Sequence, residues 1–156
     1  MMQKKSSAWA WFLVHIIFPL LPFVLECSIR LIVSNFTPRW DTFSGSTLAM
    51  SYGLLLVFID QSLLNQISQS PLMNEDRIDE IKIWSNVLRS AVIFFYAPLF
   101  ALCVGFEYLA LFYPAIQAIA ITLSECCDNI VVLSSVFVIP TSMIIRSIFK
   151  LRTVLA

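Results

Sequence analysis

Uncharged stretches recur along this chain at lengths that match a bilayer. Ser6 to Leu25 is twenty residues without Asp, Glu, Lys or Arg, and Thr42 to Ile59 is eighteen. Ser90 to Phe106, Tyr108 to Ser124 and Asn129 to Ile145 are seventeen each. A hydrocarbon core of ~30 Å takes about 20 residues of helix at ~1.5 Å each. The runs are apolar on all sides, without the alternation of a transmembrane barrel strand. Only Glu107 separates the third run from the fourth, so the two cannot both be full spans with a loop between them. The third span is therefore placed at about Leu88 to Tyr113, closed by Pro114. The reading is an all-α, polytopic membrane protein: one transmembrane domain over 1–156, with spans at about 8–33, 42–60, 88–113 and 129–149. Ala115 to Ser124 is expected to be a short interfacial or partly buried helix, and five spans is the alternative count.

Between the second and third spans lies the largest exposed stretch, a cytoplasmic loop and helix over 61–88. Asn74 followed by Glu75 and Asp76 is an N-cap with acids favoured by the helix dipole. Ile78, Ile81, Trp84 and Leu88 recur at helical spacing, so the third helix is expected to begin near Asn74, outside the bilayer, and run into it. Glu75, Asp76, Asp79 and Glu80 line that segment. They read either as a solvated face beside an interface-anchoring Trp84, or as a docking surface for a soluble partner. An acidic face does not seek anionic lipid, which attracts basic segments.

Composition strengthens the membrane reading. The chain is 59% hydrophobic and 13% charged, where globular domains carry about 25% charge. That is too little polar surface for a soluble 156-residue domain and the reverse of a disordered chain. The formal net charge is zero, so no bulk attraction to nucleic acid follows and no direct nucleic-acid binding is expected. A cleaved signal peptide fits poorly, because the first apolar run is long, carries Pro19 and Pro22 and lacks a small-residue cleavage site. Basic residues in short loops set orientation. Both termini inside a bacterial inner membrane puts Lys4, Lys5, Arg77, Lys82, Arg89, Arg146, Lys150 and Arg152 on the cytoplasmic side, leaving Arg30 and Arg39 outside.

Candidate chemistry is sparse. Glu107 lies late in the third span, and a carboxylate there needs a partner or an aqueous cavity; Arg30 at the end of the first span is the preferred pair. That pair reads as a structural register lock or as a proton or ion relay. His15 reads as a hydrogen-bonded packing residue, and Pro19 and Pro22 are expected to kink the first helix. Gly45, Ala49 and Gly53 repeat every fourth residue, as do Ala97, Ala101 and Gly105. Such rows permit close helix approach in lipid, one within the chain and the other between copies. Cys27 could bridge Cys126 or Cys127, and Cys103 reads as a small core residue. No hydrolase elbow, phosphate loop or metal-ligand spacing is present, so no enzyme, metal or cofactor is expected. An enzymatic site would have to be built from Glu26, Arg30, Asp41, Glu107 and Asp128.

The stretches Ser90 to Tyr96 (SAVIFFY) and Gly105 to Tyr113 (GFEYLALFY), with one Glu after an aromatic late in the third span, resemble small membrane proteins of phage exclusion and defence. The Gly-, Ser- and Thr-rich entry into the second span, Asp41 to Tyr52, is similar too. These are the RexB exclusion proteins and the KwaA-type membrane subunits of the Kiwa system. The central loop here is acidic where that of the exclusion proteins is basic. The KwaA resemblance implies a homo-oligomer, a tetramer, that senses phage-induced envelope change and works with a soluble, DNA-binding effector of KwaB type. The acidic helix at Asn74 to Leu88 is the expected contact. Three functions follow in order: a sensor or scaffold of phage defence, an ion-conducting channel or small transporter using Glu107, and a membrane immunity protein against a pore-forming toxin.

Overall fold

The computed structural model describes residues 11–33, 44–69, 74–149 and 151. Among them are four helices long and apolar enough to cross a membrane, the build of a multi-pass membrane protein: α1 (Leu13–Val33), α2 (Gly45–Gln69), α3 (Glu75–Phe112) and α4 (Gln117–Phe149). A single 3₁₀ turn, Pro114–Ile116, joins α3 to α4. No strand occurs among the described residues.

α2 is the central helix and packs against each of the other three. Half of its span is buried, against 11–28% for the others. Leu55, Ile59 and Leu63 on α2, Ile81 on α3 and Val131, Ile145 and Phe149 on α4 are fully buried at its contacts. The outward faces carry large apolar side chains such as Phe18, Phe94, Leu111 and Phe137. A soluble protein of this size does not expose so continuous an apolar coat, whereas lipid is its natural solvent.

Two prolines leave a similar mark on the backbone. A proline lacks the N–H that would bond the carbonyl four residues earlier, and its ring crowds that carbonyl. Leu13–Ile17 and Val92–Tyr96 are π-helical, and Pro19 and Pro98 follow each segment by two residues. The Phe18 and Ala97 N–H groups reach back five residues to the Leu13 and Val92 carbonyls. The wider turn takes up the proline without ending either helix. Pro22 and Pro140 sit within continuous α-helix.

Helix ends extend past the uncharged runs. α2 continues nine residues beyond Asp60, to Gln69. α3 starts at Glu75 with Asn74 as its N-cap, whose carbonyl accepts from the Arg77 and Ile78 N–H groups at 3.1 and 3.2 Å. Of the expected loop in 61–88, little remains beyond residues 70–73, which lie outside the described residues. Ala115 to Ser124 is not a separate short helix: from Gln117 on it forms the first turns of α4, which carries Glu125 and Asp128 without a break. Residues 8–10 of the first expected span and 42–43 of the second also lie outside the described residues.

Candidate functional site

Polar side chains inside this bundle gather in tiers along α2. Gly45, Tyr52 and Asp60 mark them, ~10 Å and then ~12 Å apart along the helix axis.

The first tier joins all four helices. On α1, Arg30 donates to Glu26 Oε1 from Nε at 2.9 Å and from Nη2 at 2.6 Å. The Thr47 hydroxyl of α2 donates to the other Glu26 oxygen. Thr47 stands there because Ser44 begins the helix. The Thr47 N–H meets Ser44 Oγ at 3.4 Å, and the Leu48 N–H bonds the Ser44 carbonyl at 3.2 Å. Asp128 of α4 lies directly against Gly45 and near Cys103 of α3, and its Oδ1 is buried without a hydrogen-bond partner. A negative charge is favoured at that position by the α2 N-terminus. Cys103 is also a neighbour of Cys127. Glu107 faces the charges of Arg30, Asp128 and Glu26.

Among the described residues no ion pair joins Arg30 to Glu107 within 4 Å, whereas Glu26, one helical turn away, is a direct partner of Arg30. The expected pair is thus replaced by a four-membered cluster. It unites Glu26, Arg30, Glu107 and Asp128, the set named as the raw material of an outer site, and Asp41 lies outside the described residues. The four cysteines are free thiols, with Cys27 and Cys127 buried and Cys126 exposed.

The middle tier is neutral. Tyr52 of α2 and Tyr96 of α3 meet edge to face at 6.0 Å, with the hydroxyls of Ser135 and Ser134 of α4 nearby. Each serine gives its own proton to a carbonyl three residues back, at 2.6 Å from Ser135 to Val132 and 2.7 Å from Ser134 to Val131.

The third tier is charged again. Asp60, 4% exposed, accepts from the Ser85 hydroxyl and from Arg89 Nε at 2.9 Å, both on α3. His15 on α1 lies 3.1 Å from the Trp11 carbonyl through Nδ1 and 2.7 Å from Ser62 Oγ through Nε2. A carbonyl only accepts, so Nδ1 carries the proton and Ser62 donates to Nε2. Trp11 stacks on His15, and the Arg146 guanidinium lies 5.0 Å from the Trp11 ring centroid. Below it, Gln66 donates to the Phe149 carbonyl at 2.8 Å and Arg77 to Ile148 at 3.3 Å, capping the end of α4. The Asp60–Ser85–Arg89 set was not singled out in the sequence. A signal existed: Asp60 closes one apolar run and Arg89 immediately precedes the next, so a tight α2–α3 turn brings them level.

The two small-residue rows part company. Gly45 faces Asp128, Ala49 is fully buried, and a Cβ on Gly53 would lie 3.8 Å from Tyr96 Cβ, so this row packs within the chain. Ala97 and Ala101 are exposed and Gly105 has nothing within 4 Å of where a Cβ would stand, so the second row lies open. Glu75, Asp76, Asp79 and Glu80 are exposed, with Asp79 paired to Lys82 at 3.2 Å. Trp84 does not share that face; it is half-buried and packs against the core. Among the described residues no three His, Cys, Asp or Glu side chains are grouped to hold a metal ion. No family model matches the chain, and neither a curated protein nor a solved structure is similar to it.

Proposed function

We propose that the chain is an oligomeric membrane scaffold that recruits a soluble effector through the free end of α3. The observation that carries this is the length and surface of that helix. Its 38 residues make ~57 Å of helix, nearly twice a hydrocarbon core. The first turns carry four exposed carboxylates, Glu75, Asp76, Asp79 and Glu80. They are also held firmly: Ile81 and Leu88 are buried, and Arg77 bonds the end of α4. A rigid charged rod at the end of a membrane bundle suits recognition of a basic protein surface. The open row of Ala97, Ala101 and Gly105 supplies a face for a second copy.

The setting follows from the resemblance to RexB and KwaA proteins: phage defence at the bacterial inner membrane, both termini cytoplasmic, with an effector of KwaB type. Changing Glu75, Asp76, Asp79 and Glu80 to Lys should release a co-purifying soluble protein while the detergent-extracted chain keeps its helicity and oligomer size. An unchanged set of co-purifying proteins would count against the reading.

The carboxylate cluster favours a second reading, transport or conduction through Glu107. Against it, the Gly45 and Tyr52 tiers are separated by buried Leu48 and Ala49, and the Tyr52 and Asp60 tiers by buried Leu55, Leu56 and Ile59. Purified protein in liposomes should be electrically silent, and a flux altered by Glu107→Gln would favour this second reading instead.

A further inference from the structure

A groove of about 270 Å³ opens on the outer surface between α2 and α3, where Asp60 meets Arg89. Its two ends differ in character. At one end stands the guanidinium of Arg89, half exposed, its Nε held at 2.9 Å by the buried Asp60. Asp60 is fixed in turn by the Ser85 hydroxyl. Arg89 lines the groove, and among the described residues neither of its Nη groups has a hydrogen-bond partner. From there the walls become apolar: Leu56 and Val57 lie one turn along α2, and Val92 and Ile93 one turn along α3. Both pairs lie on the side of Asp60 and Arg89 that leads into the apolar band of the bundle. The wider π-helical turn begins at Val92 and shapes that wall.

We propose that this groove binds a glycerophospholipid, its phosphate on the Arg89 fork and the first part of one acyl chain along Leu56, Val57, Val92 and Ile93. Three features favour this occupant. The groove faces the surface that lipid covers. Its polarity runs from cation to hydrocarbon in the order of a phospholipid's own atoms. Guanidinium presents paired N–H donors in the fork that phosphate oxygens match, and Asp60 behind it sets the angle. Asp60 takes the Nε side of the guanidinium, and Arg89 balances its charge. The inference rests on the membrane build alone and is independent of any effector.

The test is native mass spectrometry of the full, delipidated chain in detergent, titrated with three probes. These are a short-chain phosphatidylglycerol, the diacylglycerol of the same chains, and glycerophosphoglycerol without chains. Phosphatidylglycerol should bind, and each probe lacking one half should bind about tenfold more weakly or worse. Ile93 is 60% exposed, so Ile93→Trp fills the groove without touching the core. It should weaken phosphatidylglycerol about tenfold with the fold intact by circular dichroism. Arg89→Lys keeps the charge opposite Asp60 but loses the fork, and should weaken the phospholipid while leaving diacylglycerol unchanged. Equal binding of diacylglycerol, equal binding of the chain-free phosphodiester, or indifference to Ile93→Trp would each overturn the proposal. The first would mean a merely greasy groove, the second a free-phosphate site, and the third a lipid bound elsewhere.

Discussion

The three glycines of this chain stand in three different environments, and only at Gly45 should replacement by alanine destabilise the bundle. At Gly45 an added Cβ would come within 2.8 Å of the Asp128 Cα. Carbon atoms rest about 3.5–4.0 Å apart, so α2 and α4 must separate by ~0.7–1.2 Å at their closest point. Because the obstacle is backbone, no rotamer relieves it. Overpacking of that kind costs about 1–3 kcal/mol, while Gly to Ala in a helix returns about 0.4–1 kcal/mol. The net expectation for Gly45→Ala is a loss of about 1–2 kcal/mol. At Gly53 the nearest atom is Tyr96 Cβ at 3.8 Å, an ordinary contact, and the change should be neutral or mildly stabilising. At Gly105 nothing of the same chain lies within 4 Å, so under detergent conditions that keep the chain monomeric only the helix term remains and Gly105→Ala should stabilise by about 0.5 kcal/mol. Unfolding in mixed detergent micelles, followed by circular dichroism at fixed protein concentration, reads all three. Stability equal to or above wild type for Gly45→Ala would refute the close approach of α2 to Asp128.

Three further outcomes follow from the same contacts. Arg89→Ala leaves the buried Asp60 without its cation and should cost about 2 kcal/mol, below the ~3–5 of a fully buried pair because Arg89 is half exposed. Adding Asp60→Asn should recover most of that loss in the same unfolding assay, and no recovery would mean the pair is not coupled. Gln66→Ala uncaps the Phe149 carbonyl and should cost about 1 kcal/mol, with faster amide exchange confined to the last turn of α4; uniform exchange across the bundle would refute the cap. With Cys27 and Cys126 changed to Ser, copper phenanthroline should join Cys103 to Cys127 and protect both from alkylation, whereas two thiols that remain alkylable are not neighbours.

The four helices and the start of α3 were legible because both are local signals. Apolar length specifies the helices, and Asn74 with Glu75 and Asp76 specifies a helix entry over one turn. The boundaries drawn at charged residues were not. Counting uncharged runs treats any charge as an end, so it cut α2 at Asp60 and split α4 before Asn129. A helix continues through a carboxylate that finds partners on its neighbours. Asp60 finds Ser85 and Arg89, 25 and 29 positions away, and Asp128 finds the backbone of Gly45. Arg30 was assigned to Glu107 on depth alone, while Glu26 on the same helix face needed no assembly to reach it. The outer set of Glu26, Arg30, Glu107 and Asp128 was still identifiable as residue types at one end of the bundle. What sequence could not supply was Thr47 and Gly45 holding that set to the N-terminus of α2.

These placements bear on where the bilayer sits. Along α2 the charged tiers at Gly45 and Asp60 are ~22 Å apart, and along α3 Arg89 and Glu107 are ~27 Å apart. The described segments between those levels carry no charge on either helix, and the neutral Tyr52 and Tyr96 rings meet there edge to face. A hydrocarbon core of ~30 Å fits that interval and the turn or so of apolar helix beyond it. Beyond Arg89, α3 has a further fourteen residues back to Glu75, ~21 Å of helix that hydrocarbon cannot hold with four carboxylates exposed on it. With the bilayer placed at that interval, this length extends beyond the hydrocarbon. Ile81 is buried where this stretch packs on α2, and Arg77 bonds the end of α4, so the ends of three helices form one platform. A partner touching that platform would act directly on the ends of three helices, not on a loose loop.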